Sequence, residues 1–238
     1  MNAAGFGLAD FELYHSRPIA PTRRLALGLQ YLPANPAPGP GGLLLAGIVA
    51  AFGATLDEDD RAELSLLMQQ VESGFRIVQP RLRHRLQRDR VGLLKSHHRL
   101  DAGSDGPDFN LTSGTGSPLV HALGAVYAAG NLPAGCQADV FGALRKALRW
   151  TGALDARFVA HISGGGATPA GWRALGSDPV AWALSVLGFA EGEDPTKRDI
   201  RRQYRDALRV AHPDHGGDEG EAAERIAELS EARRILLG

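Results

Sequence analysis

His212-Pro213-Asp214 joins two segments of opposite character. Before it, Thr196 to Val210 carries Lys197, Arg198, Arg201, Arg202, Arg205 and Arg209 against Asp199 and Asp206, a balance of +4 on one short stretch. After it, Glu221 to Leu237 begins acidic and turns mixed. A cluster of cations on a rigid helix speeds encounter with an acidic partner and makes binding salt-dependent.

Other residue types invite catalytic or binding readings. Cys136 with His121 and His161 offers a thiol and two imidazoles, but a lone cysteine among apolar neighbours reads as packing. His97-His98 are adjacent, so on a helix their rings diverge and make a poor metal pair. Leu56 to Asp60 could ligate a cation; the simpler account is an acid-rich helix N-terminus. Ser163 to Gly166 lacks the Lys and Ser/Thr of a phosphate-binding loop and reads as linker. Arg81 to Arg99 holds seven Lys/Arg against Asp89, a balance of +6. It offers phosphate contacts for nucleic acid, or a solvated helix face over Leu82, Leu86, Leu93 and Leu94. No aromatic stacking platform accompanies it.

The elements that must position the His-Pro-Asp stretch are helical. Ile200, Tyr204 and Leu208 recur every four residues and share one face. Asp194 reads as the N-cap, with Pro195 at the first helical position. Pro213 disfavours a helical His212, so the helix should end near Ala211. Gly216-Gly217 supply a turn, and Asp218 with Glu221 forms a variant of the capping box. Ile226, Leu229, Ala232 and Leu236 then repeat at three- and four-residue steps. Two helices joined by a short turn pack antiparallel, each burying its apolar stripe. A shorter helix, Val180 to Leu187, with Trp182, Leu184 and Leu187 apolar, completes a three-helix core.

On these residues the segment resembles the J domain, the module through which co-chaperones drive ATP hydrolysis by DnaK-type chaperones. Leu187-Gly188 resembles the close of the family's helix I. Ile200, Tyr204 and Leu208 match helix II; Leu229, Ala232 and Leu236 match helix III. Ser230-Glu231-Ala232-Arg233 stands where the family has Asn-Glu-Ala-Tyr. The resemblance implies that His212, Pro213 and Asp214 form the chaperone-binding loop, with Asp214 meeting an arginine of the chaperone. It also implies that Lys197, Arg198, Arg201, Arg202, Arg205 and Arg209 are docking cations. The implied core is Leu184, Leu187, Ile200, Tyr204, Leu208, Ile226, Leu229, Ala232 and Leu236. The implied action is allosteric: preferential binding to one chaperone conformation shifts its population.

The rest of the chain bounds this reading. Its 238 residues suggest two domains. A net charge of −1 argues against a bulk nucleic-acid or membrane binder. One cysteine excludes a disulfide framework and points to a reducing compartment, expected to be the cytoplasm. No signal peptide is visible, and Leu43 to Phe52 is short of the ~20 apolar residues of a membrane span. Helices are expected over 43–52, 57–72, 80–99, 119–129, 138–150 and 153–162, with Arg24 to Leu32 as a strand. Pro33 to Gly42 separates a short N-terminal piece, and Asp101 to Pro118 reads as a loop.

The expected fold class is therefore mostly α. An N-terminal, mainly α-helical domain of unknown fold spans 1–162, and a Gly/Pro-rich linker spans 163–177. A J domain lacking helix IV spans 178–238, its helices II and III forming an antiparallel hairpin. The expected function is that of a J-domain co-chaperone, not an enzyme, with no cofactor and no metal. Its partner would be a DnaK-type chaperone, and the N-terminal domain would set client or location. The alternatives are a J-like adaptor that does not stimulate ATPase, or a nucleic-acid-associated factor binding through 81–99.

Overall fold

The computed structural model describes residues 7–17, 23–34, 37–103, 106–112, 116–163, 179–190, 193–211, 226, 229–230, 232–233 and 236–237. Five strands lie in its N-terminal part: β1 Gly7–His15, β2 Arg23–Tyr31, β3 His84–Leu86, β4 Leu94–Ala102 and β5 Pro107–Leu111. They form one mixed sheet in the order β3-β2-β1-β4-β5. The β1–β2, β1–β4 and β4–β5 pairs are antiparallel, and β2–β3 is parallel. Side chains alternate across the sheet, as the two-residue repeat of a strand requires. On β1, Phe11, Leu13 and His15 are buried, while Asp10, Glu12 and Tyr14 are only partly covered. On β4, Ser96, His98 and Leu100 are buried between the more exposed Lys95, His97 and Arg99.

Helices α1 Gly39–Gly53, α2 Glu58–Glu72, α3 Pro118–Gly130, α4 Ala134–Leu148 and α5 Ala156–Ser163 complete this part. α1 is buried at every position from Pro40 to Ala50, and α3 from Leu119 to Ala129. Helices apolar on all sides must be enclosed on all sides. Both touch the sheet, and α2 and α4 close over them. α1 lies so close to the strand before it that a Cβ on Gly41 would come within 2.4 Å of the Leu32 carbonyl carbon. One large cluster joins sheet and helices, from Leu8 to Ile162.

The mostly α expectation is therefore corrected: the N-terminal part is an α/β unit built on a five-stranded sheet. The segment 80–99, expected as a helix, is a turn, the short strand β3 and most of β4. Its leucines are not on one helical face, and the inward residues of β4 include Ser96 and His98, so no apolar stripe marks the strand. The segment 101–118, expected as a loop, contains β5. The Pro-rich stretch does not set off a separate N-terminal piece, because β1 and β2 occupy the middle of the sheet. Five expected helices stand, α1, α2, α3, α4 and α5, each within a few residues of its expected limits, and β2 is the expected strand.

The C-terminal part holds α6 Pro179–Val186, α7 Lys197–Ala211 and helical residues between 226 and 237. The linker expected over 163–177 lies outside the described residues apart from Ser163, which closes α5. No described helix is long and apolar enough to cross a membrane.

Candidate functional site

The C-terminal site is built on α7. Its N-cap is Thr196, not the expected Asp194. The Thr196 and Asp199 side chains bond each other's backbone N–H groups reciprocally, at 3.3 and 3.1 Å, which is the capping-box arrangement. The hydroxyl and backbone N–H of Thr196 hold the Asp199 carboxyl below its usual pKa. The signal was legible as Thr-x-x-Asp. The helix is described as far as Ala211; His212 and Pro213, expected to stop it, lie outside the described residues.

Upstream, α6 closes on Gly188, whose φ of +82° suits glycine. Gly188 N–H donates to Ser185 O at 3.0 Å and Phe189 N–H to Leu184 O at 2.9 Å. That pair of bonds is a Schellman cap. It turns the chain so that α6 and α7 share a small core. Ala183, Leu187, Ile200, Leu229 and Ala232 are buried there, with Tyr204 and Leu236 packed against them. Val186, Phe189, Ala207, Ala211 and Leu237 join the same cluster. Leu184, Leu208 and Ile226 are only half-buried.

Tyr204 ties the terminal helical residues to α7. Its hydroxyl lies 3.4 Å from Ser230 Oγ, and the Arg233 guanidinium sits 4.9 Å from its ring centroid. An arginine over a tyrosine face is an attractive cation–π contact. Arg233 thus covers the ring from outside.

The opposite side of α7 is cationic. Lys197, Arg198, Arg201, Arg202, Arg205 and Arg209 are all exposed. Asp206 lies 4.0 Å from Arg202 and 3.7 Å from Arg209. Such exposed pairs contribute little and leave the cations free to exchange partners. Val210 is 80% exposed at the last turn. His212, Pro213 and Asp214 follow directly in sequence but lie outside the described residues.

A second polar cluster is buried in the α/β unit, and sequence reasoning missed it. His15 Nδ1 lies 3.2 Å from Ser16 O, and its Nε2 lies 2.8 Å from Ser96 Oγ. A carbonyl only accepts, so Nδ1 carries the proton and Nε2 accepts from the serine. Thr112 N–H donates to His98 Nδ1 at 3.2 Å, which leaves His98 Nε2–H to donate to His121 Nδ1 at 3.0 Å. Phe52 stacks on His121 with ring centroids 4.2 Å apart. Burial, then the neighbouring histidines, push the His98 pKa down to about 3. Burial also lowers those of His15 and His84. A serine beside an imidazole is the start of a nucleophile–base pair, but Ser96 is 1% exposed and admits no substrate. The arrangement is a satisfied polar core. Its signal was the inward register of β1 and β4, hidden because both strands were not foreseen.

The basic run 81–99 loses its helical face and much of its free charge. Arg81 pairs with Glu63 at 3.2 Å, Lys95 with Glu12, and Arg99 with Asp101 at 2.8 Å. Arg90 lies over Tyr14. His97 and His98 do diverge, because they alternate on a strand: His97 bonds Asp10 outside, and His98 points in. Asp57 caps α2, accepting from Asp60 N–H at 2.7 Å, so the acidic run is the expected helix N-terminus. Cys136 packs against the large core, and His161 rests on Trp150. Among the described residues, no group of three potential ligands could hold a metal ion.

Compared with known proteins, the chain matches no protein family, no curated protein and no solved structure.

Proposed function

We propose that the chain is a J-type co-chaperone that binds a DnaK-type chaperone and stimulates its ATP hydrolysis. One observation carries this reading. α7 is anchored through Ile200 and Tyr204 while holding six cations outward, and His212-Pro213-Asp214 follows it directly in sequence. A rigid helix that presents several cations on one exposed face is what docking on an acidic chaperone surface needs. The chain supplies no catalytic group to the hydrolysis; its α/β unit gives client or location specificity, and its single cysteine fits a reducing cytoplasm. The nucleic-acid alternative is weakened by the carboxylate partners of Arg81, Lys95 and Arg99.

Single-turnover ATP hydrolysis by a DnaK-type chaperone from the same source tests the reading. Wild-type protein should accelerate it, His212→Gln should abolish the acceleration, and Arg201→Glu with Arg205→Glu should weaken it about tenfold or more at low salt. Folded wild-type protein that gives no acceleration would sink the proposal in favour of a non-stimulating adaptor.

A further inference from the structure

A cavity of about 490 Å³ opens between the end of α4 and the start of α5. Lys146, Arg149, Arg157 and His161 line it, with Trp150 as a wall and Asp155 as the one acid among the described residues. That acid is already committed. Asp155 Oδ1 accepts from the backbone N–H groups of Arg157 and Phe158, at 2.9 and 3.2 Å, as the cap of α5. Arg149 and Arg157 have no ion-pair partner among the described residues. Among the described residues, Lys146 Nζ makes one bond, of 3.3 Å, to the Ile162 carbonyl.

Dipole compensation accounts for part of this charge and not for the rest. Lys146 and Arg149 sit at the C-terminal end of α4, where cations are favoured. Arg157 sits in the first turn of α5, where the helix field opposes a cation. Unpaired like charges converging on one cavity repel, and an anion placed among them reverses the sign of every such term. The wall is fixed. Trp150 Nε1–H donates to Ala153 O at 3.0 Å, and the indole lies between Phe158 and His161. Gly152 packs on it so closely that a Cβ would come within 2.9 Å of the ring. Phe158 meets the indole edge-on and His161 lies tilted against it, so the wall is held in place and the cations beside it suit a compact anion.

We infer that this cavity binds a phosphate-bearing small molecule, its phosphoryl group held by Arg149, Arg157 and Lys146. Arginine forks match the oxygen geometry of phosphate and form charge-assisted bonds to it. The site is independent of the co-chaperone reading.

Calorimetric titration of the full chain with inorganic phosphate and with pyrophosphate, at matched ionic strength, tests it. Saturable one-to-one binding is expected, tighter for pyrophosphate. Arg149→Gln and Arg157→Gln should each weaken it about tenfold, with the melting temperature in chloride unchanged. Three results would overturn the inference: no saturable binding, binding that survives both substitutions, or sulfate binding as tightly as pyrophosphate.

Discussion

His98 is held neutral among His121, Phe11, Phe52 and the backbone of Thr112, and this has a thermodynamic cost in acid. An unfolded histidine takes up a proton near pH 6.5, whereas folded His98 resists until about pH 3. His15 and His84 are shifted the same way by burial. Above pH 6.5 folded and unfolded forms are both neutral, and no stability is lost. Below it the unfolded chain binds the extra protons, so stability falls as pH drops, by up to about 1.4 kcal/mol per pH unit for each such histidine. The denaturant midpoint of the α/β unit should therefore be flat from pH 8 to 7 and fall steadily from 6.5 towards 4.5. A flat profile across that lower window would show that the imidazoles are solvated. Below 4.5 the loss should steepen, because the bond to Lys95 lowers the Glu12 pKa and its carboxylate must then be protonated.

At the scale of elements, Gly41 shows which of two effects wins. Alanine in place of glycine inside a helix normally stabilises by about 0.5–1 kcal/mol. Here the new methyl would strike the main chain of Leu32, which cannot rotate away. Overpacking of this kind costs about 1–3 kcal/mol, so Gly41→Ala should lower the stability of the α/β unit despite its better helix propensity; an increase in melting temperature would refute the close approach. The same elements explain what was readable beforehand. α1 and α3 were legible as unbroken apolar runs, and α2 by its acidic cap. β4 was not, because two of its inward positions are Ser96 and His98, whose fitness for the core depends on partners 81 and 23 positions away. β5 hides among Asp, Gly and Ser residues that look like loop. At the C-terminus, the close at Gly188 was legible from a single residue. Thr196 was overlooked in favour of an equally plausible cap two positions earlier.

For the whole molecule, the two parts have separate cores of very different size. Among the described residues the C-terminal one holds five buried residues, two of them alanine, and a core of a short domain has little reserve. Ile200→Ala should cost about 2–5 kcal/mol there and remove a low-temperature calorimetric transition while leaving the main one in place. Leu208→Ala, at a half-buried position, should cost less. A single transition shifted by both substitutions would mean that the parts unfold as one.

The enclosure of α1 and α3 also governs how the chain reaches this state. Both helices stay greasy on every side until the sheet exists to receive them. The sheet cannot close until β1 finds β4, a pairing that brings His15 to Ser96 across 81 positions. Contacts that distant form slowly, and during the delay two naked apolar segments are open to aggregation. Slow pairing of β1 with β4 would therefore leave these two segments exposed longest, and dilution from denaturant at rising concentration should lower the refolding yield.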